Sequence, residues 1–278
     1  MKTPFSFLSK YFRRWDRRFT IPKRQQFVVI TIILTVGLLL TQLVSVELRY
    51  SMVIGLSVIT FFLAAFGLRE DLKGVEWLTL LTLPTFFTAA IALFYFLLPV
   101  RWLTRLPIVA LYAIGMYALL LTENIFSVAK IRTIALLRAA HSVGFLLTLL
   151  SYFLVVQTVL VYRLDVVFEV PLVAILTFPL VLQSLWTIEL EQFLSARVRR
   201  ISVALTILLL EIDWIFYFWP VNRTLVALLL TTCFYTTVGM GQQYLVEKLY
   251  KRTIIEFVTV AVVVFLTVLL ASRWRGAM

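Results

Sequence analysis

The chain has 278 residues, 62% of them hydrophobic and 14% charged, with a mean hydropathy of +0.99. A soluble domain averages about 45–50% apolar and about 25% charged residues, and its helices are polar on one face; here whole runs are apolar all round, which excludes a soluble fold. The net charge of +12 sits in short links between the apolar runs, so the basic residues are matched to anionic lipid headgroups and not to nucleic acid.

The first pattern along the chain lies in residues 4–19. At 100° per residue Phe5, Leu8, Phe12, Trp15 and Phe19 gather on one side, while Lys10, Arg13, Arg14, Arg17 and Arg18 occupy the other. This pattern predicts an interfacial amphipathic helix, with aromatic side chains dipping into the headgroup boundary and basic ones contacting lipid phosphates. Residues 1–25 therefore form a basic cytoplasmic tail. The following run, 26–46, is longer than the h-region of a signal peptide and is not followed by a small-residue cleavage site, so it reads as a retained first span.

A spanning helix needs about 20 apolar residues. Nine runs qualify: 26–46, 51–68, 76–99, 106–129, 140–162, 167–189, 199–219, 223–245 and 253–272, with a short tail at 273–278. The expected fold is thus all-α, a polytopic transmembrane bundle of about nine spans, with eight as the alternative. Pro84 and Pro179 fall inside the third and sixth runs, where each removes a backbone donor and is expected to bend its helix.

Nineteen Lys and Arg residues lie on the side of the N-terminus, including Lys73, Lys130, Arg138, Arg197, Arg200 and Lys251. Seven lie opposite: Arg49, Arg101, Arg105, Arg163, Arg223, Arg273 and Arg275. The positive-inside rule then gives a cytoplasmic N-terminus in a plasma membrane of bacterial type, with the C-terminus outside. The tally is unchanged if 199–219 fails to cross, because two clusters simply exchange sides. Crossing is favoured by the apolar stretch Ile201–Leu210 and by the aromatic belt from Trp214 to Trp219, and opposed by Glu211 and Asp213.

Those two acids form the first candidate site. They lie roughly 12 and 9 Å below Trp219 at 1.5 Å per residue, and an i, i+2 spacing sets them about 200° apart, so they do not share a face. Candidate ion-pair partners are the outer arginines 49, 101, 105, 163 and 223. The alternatives are a structural ion pair and a cation or proton site. The second candidate site is a polar cluster at the cytoplasmic end: Glu123 and Asn124, with Ser127 nearby, then His141 at the start of the fifth run, and Gln183, Ser184 and Glu189 at the end of the sixth. Glu123 and His141 are placed so that they can meet as a proton-handling pair. The alternative is that His141 anchors a helix end.

The sequence carries one histidine and one cysteine, Cys233. It lacks His-Glu-x-x-His, the phosphate-cradling Gly-x4-Gly-Lys-Ser/Thr and Gly-x-Ser-x-Gly. No catalytic, cofactor or metal residues are therefore assigned, and no cofactor is expected. A permease-like protein binding a small solute or ion fits these features best. A non-catalytic membrane scaffold follows. A membrane enzyme acting on a lipid-linked substrate comes last, because the loops are too short to hold a headgroup.

Overall fold

The computed structural model describes residues 22–41, 48–69, 74–98, 102–129, 136–191 and 193–272. The amphipathic pattern of residues 4–19, with Lys10, Arg13, Arg14, Arg17 and Arg18, lies outside them. The described residues form nine α-helices: α1 (Lys23–Leu40), α2 (Arg49–Leu68), α3 (Glu76–Leu97), α4 (Trp102–Ala129), α5 (Leu137–Val161), α6 (Val166–Glu189), α7 (Ala196–Tyr217), α8 (Arg223–Leu245) and α9 (Lys251–Ala271). Eight are long and apolar enough to cross a membrane. The chain is a multi-pass integral membrane protein, and its outward apolar side chains, Ile54, Phe62, Ile114, Leu146, Ile175 and Leu270 among them, are lipid contacts.

In hydrocarbon every backbone polar group must find its partner within the helix. Threonine and serine side chains follow the same logic: Thr148, Ser151, Thr158, Thr177 and Thr206 each donate to the carbonyl four residues back, at 2.6–2.8 Å. The helix ends use side chains where the sequence supplies them. Ser195 accepts from the Val198 amide at the start of α7, and Asn222 accepts from the Thr224 amide at the start of α8. Helices α3 and α6 continue through Pro84 and Pro179 without a break.

Long-range hydrogen bonds fix the helix directions. The start of α6 meets the start of α8 through Glu169 and Arg223, while their far ends meet through Ser184 and Gln242. Helices α6 and α8 are therefore parallel. Helix α7 joins the end of one to the start of the other and so runs back along both. Its first residues touch the end of α8 (Arg197 to the Tyr244 carbonyl), and its last residues touch the start of α6 (Tyr217 hydroxyl to the Leu164 carbonyl). Its 22 residues extend about 33 Å, enough for the roughly 30 Å of hydrocarbon. Helix α7 is not among the eight helices picked out by length and apolarity, and it carries Arg197, Arg199, Arg200, Glu211 and Asp213.

Helices α4, α5, α6 and α8 supply much of the centre, with Trp186, Tyr112, Tyr152, Phe126 and Phe234 fully buried. At the mid-level of α2, α3 and α4, the Thr60 hydroxyl donates to Thr88, which in turn bonds Tyr112. Helix α9 is peripheral. It lies on α8, with the Phe257 ring seated over Gly239 and Phe265 against Trp219, and Val268 is its only buried residue.

Candidate functional site

The two acids of α7 separate as their 200° spacing requires. Glu211 is exposed on the outward apolar stripe with Ile207, Leu208, Trp214 and Ile215. Asp213 points inward and is 1% exposed, and neither of its carboxylate oxygens has a hydrogen-bond partner. A buried carboxylate with two empty acceptors is an expensive arrangement in a membrane, and such residues are rare away from functional positions.

The surroundings of Asp213 come from three other helices. Glu169, in the first turn of α6, is fully buried and pairs with Arg223 of α8 at 3.5 Å through Oε1, while its Oε2 has no partner. Asp213 lies within electrostatic reach of both members of this pair. The buried Tyr152 hydroxyl of α5 lies beside Thr177 of α6 and within electrostatic reach of Asp213. Farther along α5, Gln157 donates to Thr224 at 3.0 Å, and its own carbonyl oxygen is unpaired. The result is two carboxylates near one guanidinium that pairs with Glu169 alone, with oxygen acceptors in excess of donors.

The expected ion-pair partners of the α7 acids are thus reassigned. Arg223 pairs with Glu169, stacks over the Tyr217 ring at 5.3 Å, and is only a neighbour of Asp213. Arg49 lies over the Phe96 ring. Sequence reasoning did not pair Glu169 with Arg223 and gave no role to Tyr152 or Gln157. The readable signal was the carboxyl itself: an acid within an apolar run almost always faces the bundle interior, as Glu169 does.

At the other end of the bundle, Glu123 of α4 is fully buried. Its Oε1 accepts from Gln183 of α6 at 3.1 Å, and its Oε2 has no partner. His141 of α5 instead bonds the Thr187 carbonyl at 2.9 Å and stacks on Phe126 at 5.3 Å between centroids. Glu123 and His141, which the sequence left either to pair or to be separate with His141 anchoring a helix end, are each bonded to α6 and not to each other. Asn124 is half-buried with its Oδ1 unpaired, and Ser127 is buried with its hydroxyl unpaired. Glu189 is the half-buried last residue of α6. Gln242 of α8 ties this end together by donating to both the hydroxyl and the carbonyl of Ser184.

The grooves between helices include one of about 490 Å³ between α2 and α3 and one of about 250 Å³ among α7, α8 and α9. Phe61, Val53 and Leu93 line the first, and Phe216, Leu229 and Phe265 the second; both suit acyl chains better than polar solutes. Among the described residues, no group of three or more His, Cys, Asp or Glu residues gathers as a polyacidic or transition-metal site would require.

No curated protein and no solved structure matches this chain. A family model matches residues 68–271, from the last residue of α2 to the last of α9, a stretch that contains Glu123, Glu169 and Asp213. With most of its length inside that match, the chain belongs to the family described as "Protein of unknown function (DUF5656)".

Proposed function

We propose that the protein is a permease-like membrane protein that binds a small cation at Asp213, with Glu169, Arg223 and Tyr152 around it. The observation that carries this reading is the Asp213 carboxylate, 1% exposed and without a partner on either oxygen. An apolar side chain there would spare the roughly 2.5–3.5 kcal/mol of placing an acid in mid-membrane. Helix α6 supports a path through the bundle. It carries Glu169 near one end and Gln183 near the other, with buried Thr177 between them. The parallel arrangement of α6 and α8 supports nine crossings. The excess of Lys and Arg on the N-terminal side supports a cytoplasmic N-terminus, and nine crossings from there put Asp213 toward the outer half of the bilayer and the C-terminus outside.

Reconstitution into proteoliposomes tests the reading. A gradient of protons or of an alkali cation should be dissipated by the intact protein and held by Asp213→Asn. Equal leakage through both would refute the role of Asp213. One observation favours a second reading, a non-catalytic scaffold: the Glu169–Arg223 pair joins α6 to α8 as a purely structural ion pair would. On that reading Asp213→Asn leaves every flux unchanged.

A further inference from the structure

The cytoplasmic-end cluster contains oxygen atoms that the packing leaves without partners. Glu123 and Gln183 lie on different helices and are held together by one hydrogen bond of 3.1 Å. That bond fixes the amide: Gln183 turns its NH2 toward the carboxylate, so its carbonyl oxygen faces away. This carbonyl oxygen and the second carboxylate oxygen of Glu123 flank the same bond, and both are buried without a partner. The residues themselves are 2% and 0% exposed.

Ser127 adds a third oxygen. It sits one turn beyond Glu123 on α4, so the two side chains lie on the same face. Most buried hydroxyls of this protein donate to the carbonyl four residues back, as Thr148, Ser151 and Thr158 do. The Ser127 hydroxyl is buried and makes no such bond. The Asn124 carbonyl oxygen, from the residue beside Glu123, is also buried and unpaired.

We infer that Glu123, Gln183, Ser127 and Asn124 form a binding site for an alkali-metal cation. The donor set is one carboxylate, two amide carbonyls and a hydroxyl. These are hard oxygen ligands of the kind that bind unpolarisable cations, without the imidazole or thiolate that selects transition metals. A single formal charge matches a monovalent ion. A divalent ion at such a site would remain half-neutralised in a low-dielectric interior. The site joins α4 to α6 through the Glu123–Gln183 bond, so occupancy ties these two helices together. It is separate from Asp213, and Glu169 and Gln183 stand 14 residues apart on α6, about 21 Å along the axis.

The test uses the purified full-length protein in detergent. Its unfolding midpoint is measured against LiCl, NaCl and KCl, with choline chloride holding ionic strength constant. A saturable rise with at least one alkali cation is expected, and with Asp213→Asn present it is absent once Glu123→Gln is added. Loss of an outer-shell partner alone weakens metal affinity roughly 10–100-fold. Ser127→Ala, a direct ligand, should therefore shift the half-saturating concentration at least about tenfold. The series is repeated in an Asp213→Asn background, which removes any alkali-cation binding by the other acids, and the Glu123-dependent rise should remain there. The inference is overturned if no alkali cation stabilises beyond choline, if adding Glu123→Gln leaves the response of the Asp213→Asn background unchanged, or if Mg2+ or Ca2+ stabilises more strongly through Glu123. If the response survives Glu123→Gln but is lost in Asp213→Asn, the cation belongs to the outer acids. The present inference then fails, while the proposed function stands.

Discussion

Replacing Arg223 by methionine removes the cation facing Glu169 while keeping most of the side-chain volume. At 3.5 Å two unit charges attract by about 1.2 kcal/mol at the dielectric of water and about 4.7 kcal/mol at an effective dielectric of 20. Arg223 is 25% exposed and Glu169 fully buried, so the pair lies between these limits. Breaking a buried pair from one side costs about 3–5 kcal/mol, because the remaining charge stays buried. Side-chain interactions measured in membranes are smaller, averaging about 0.6 and reaching about 1.7 kcal/mol, because the unfolded chain in lipid finds other partners. The expected loss for Arg223→Met is therefore about 2–3 kcal/mol. Glu169→Gln combined with Arg223→Met should recover all but about 1 kcal/mol, since no charge is then stranded. Reversible unfolding in mixed micelles, run as a double-mutant cycle, measures both quantities. If the double variant is no more stable than Arg223→Met alone, Glu169 does not depend on Arg223 and the description of the outer pair is wrong.

Other substitutions probe the remaining contacts. Glu211→Gln, on the outward stripe of α7, should change unfolding free energy by less than about 0.5 kcal/mol. Asp213→Asn should raise it by about 1–3 kcal/mol, because an unpaired buried acid is removed; a stability loss would show that Asp213 has a partner. A Cβ on Gly239 would stand 2.5 Å from the Phe257 ring, so Gly239→Ala should cost about 1–3 kcal/mol by overpacking. Adding Phe257→Ala should relieve that strain, as read by cysteine cross-linking between α8 and α9. Tyr162, just beyond α5, has its phenol pushed up to about 12 by desolvation and by the hydrogen bond with Tyr50. A raised value means that this contribution is intact below about pH 10 and is lost as pH climbs toward 12. Tyr50→Phe should lower the Tyr162 phenolate titration, measured as the absorbance difference from Tyr162→Phe.

Helix periodicity was the most legible layer. Apolar runs long enough to cross hydrocarbon carry their own structural instruction, and a helix covers part or all of each of the nine. The opposed directions of Glu211 and Asp213 also followed from spacing alone, because helix geometry fixes the angle between neighbouring side chains whatever surrounds them. What stayed hidden was pairing across helices. Glu123 and Gln183 are 60 residues apart, and Glu169 and Arg223 are 54 apart. Which side chains meet at such separations depends on helix order and rotation, and a single sequence with uniform apolar faces contains little of that. His141 shows the consequence. Its proximity in sequence to Glu123 suggested a pair, yet the end of α6 packs between the two possibilities and gives each residue another partner.

The charge content of α7 also bears on how the protein is made. A segment carrying Glu211 and Asp213 near one end and three arginines at the other partitions poorly into lipid by itself, since each acid at mid-helix opposes insertion by about 2.5–3.5 kcal/mol. Its neighbours α6 and α8 run the same way, so a stable bundle requires α7 to lie between their opposite ends. On the nine-crossing proposal, entry of α7 into the bilayer is therefore coupled to its neighbours. Helix α6 offers the face that hides Asp213, and α8 brings Arg223 once it has been synthesised. Translation would have to proceed beyond residue 223 before this region settles, and a chain stopped short of that point would leave α7 at the membrane surface.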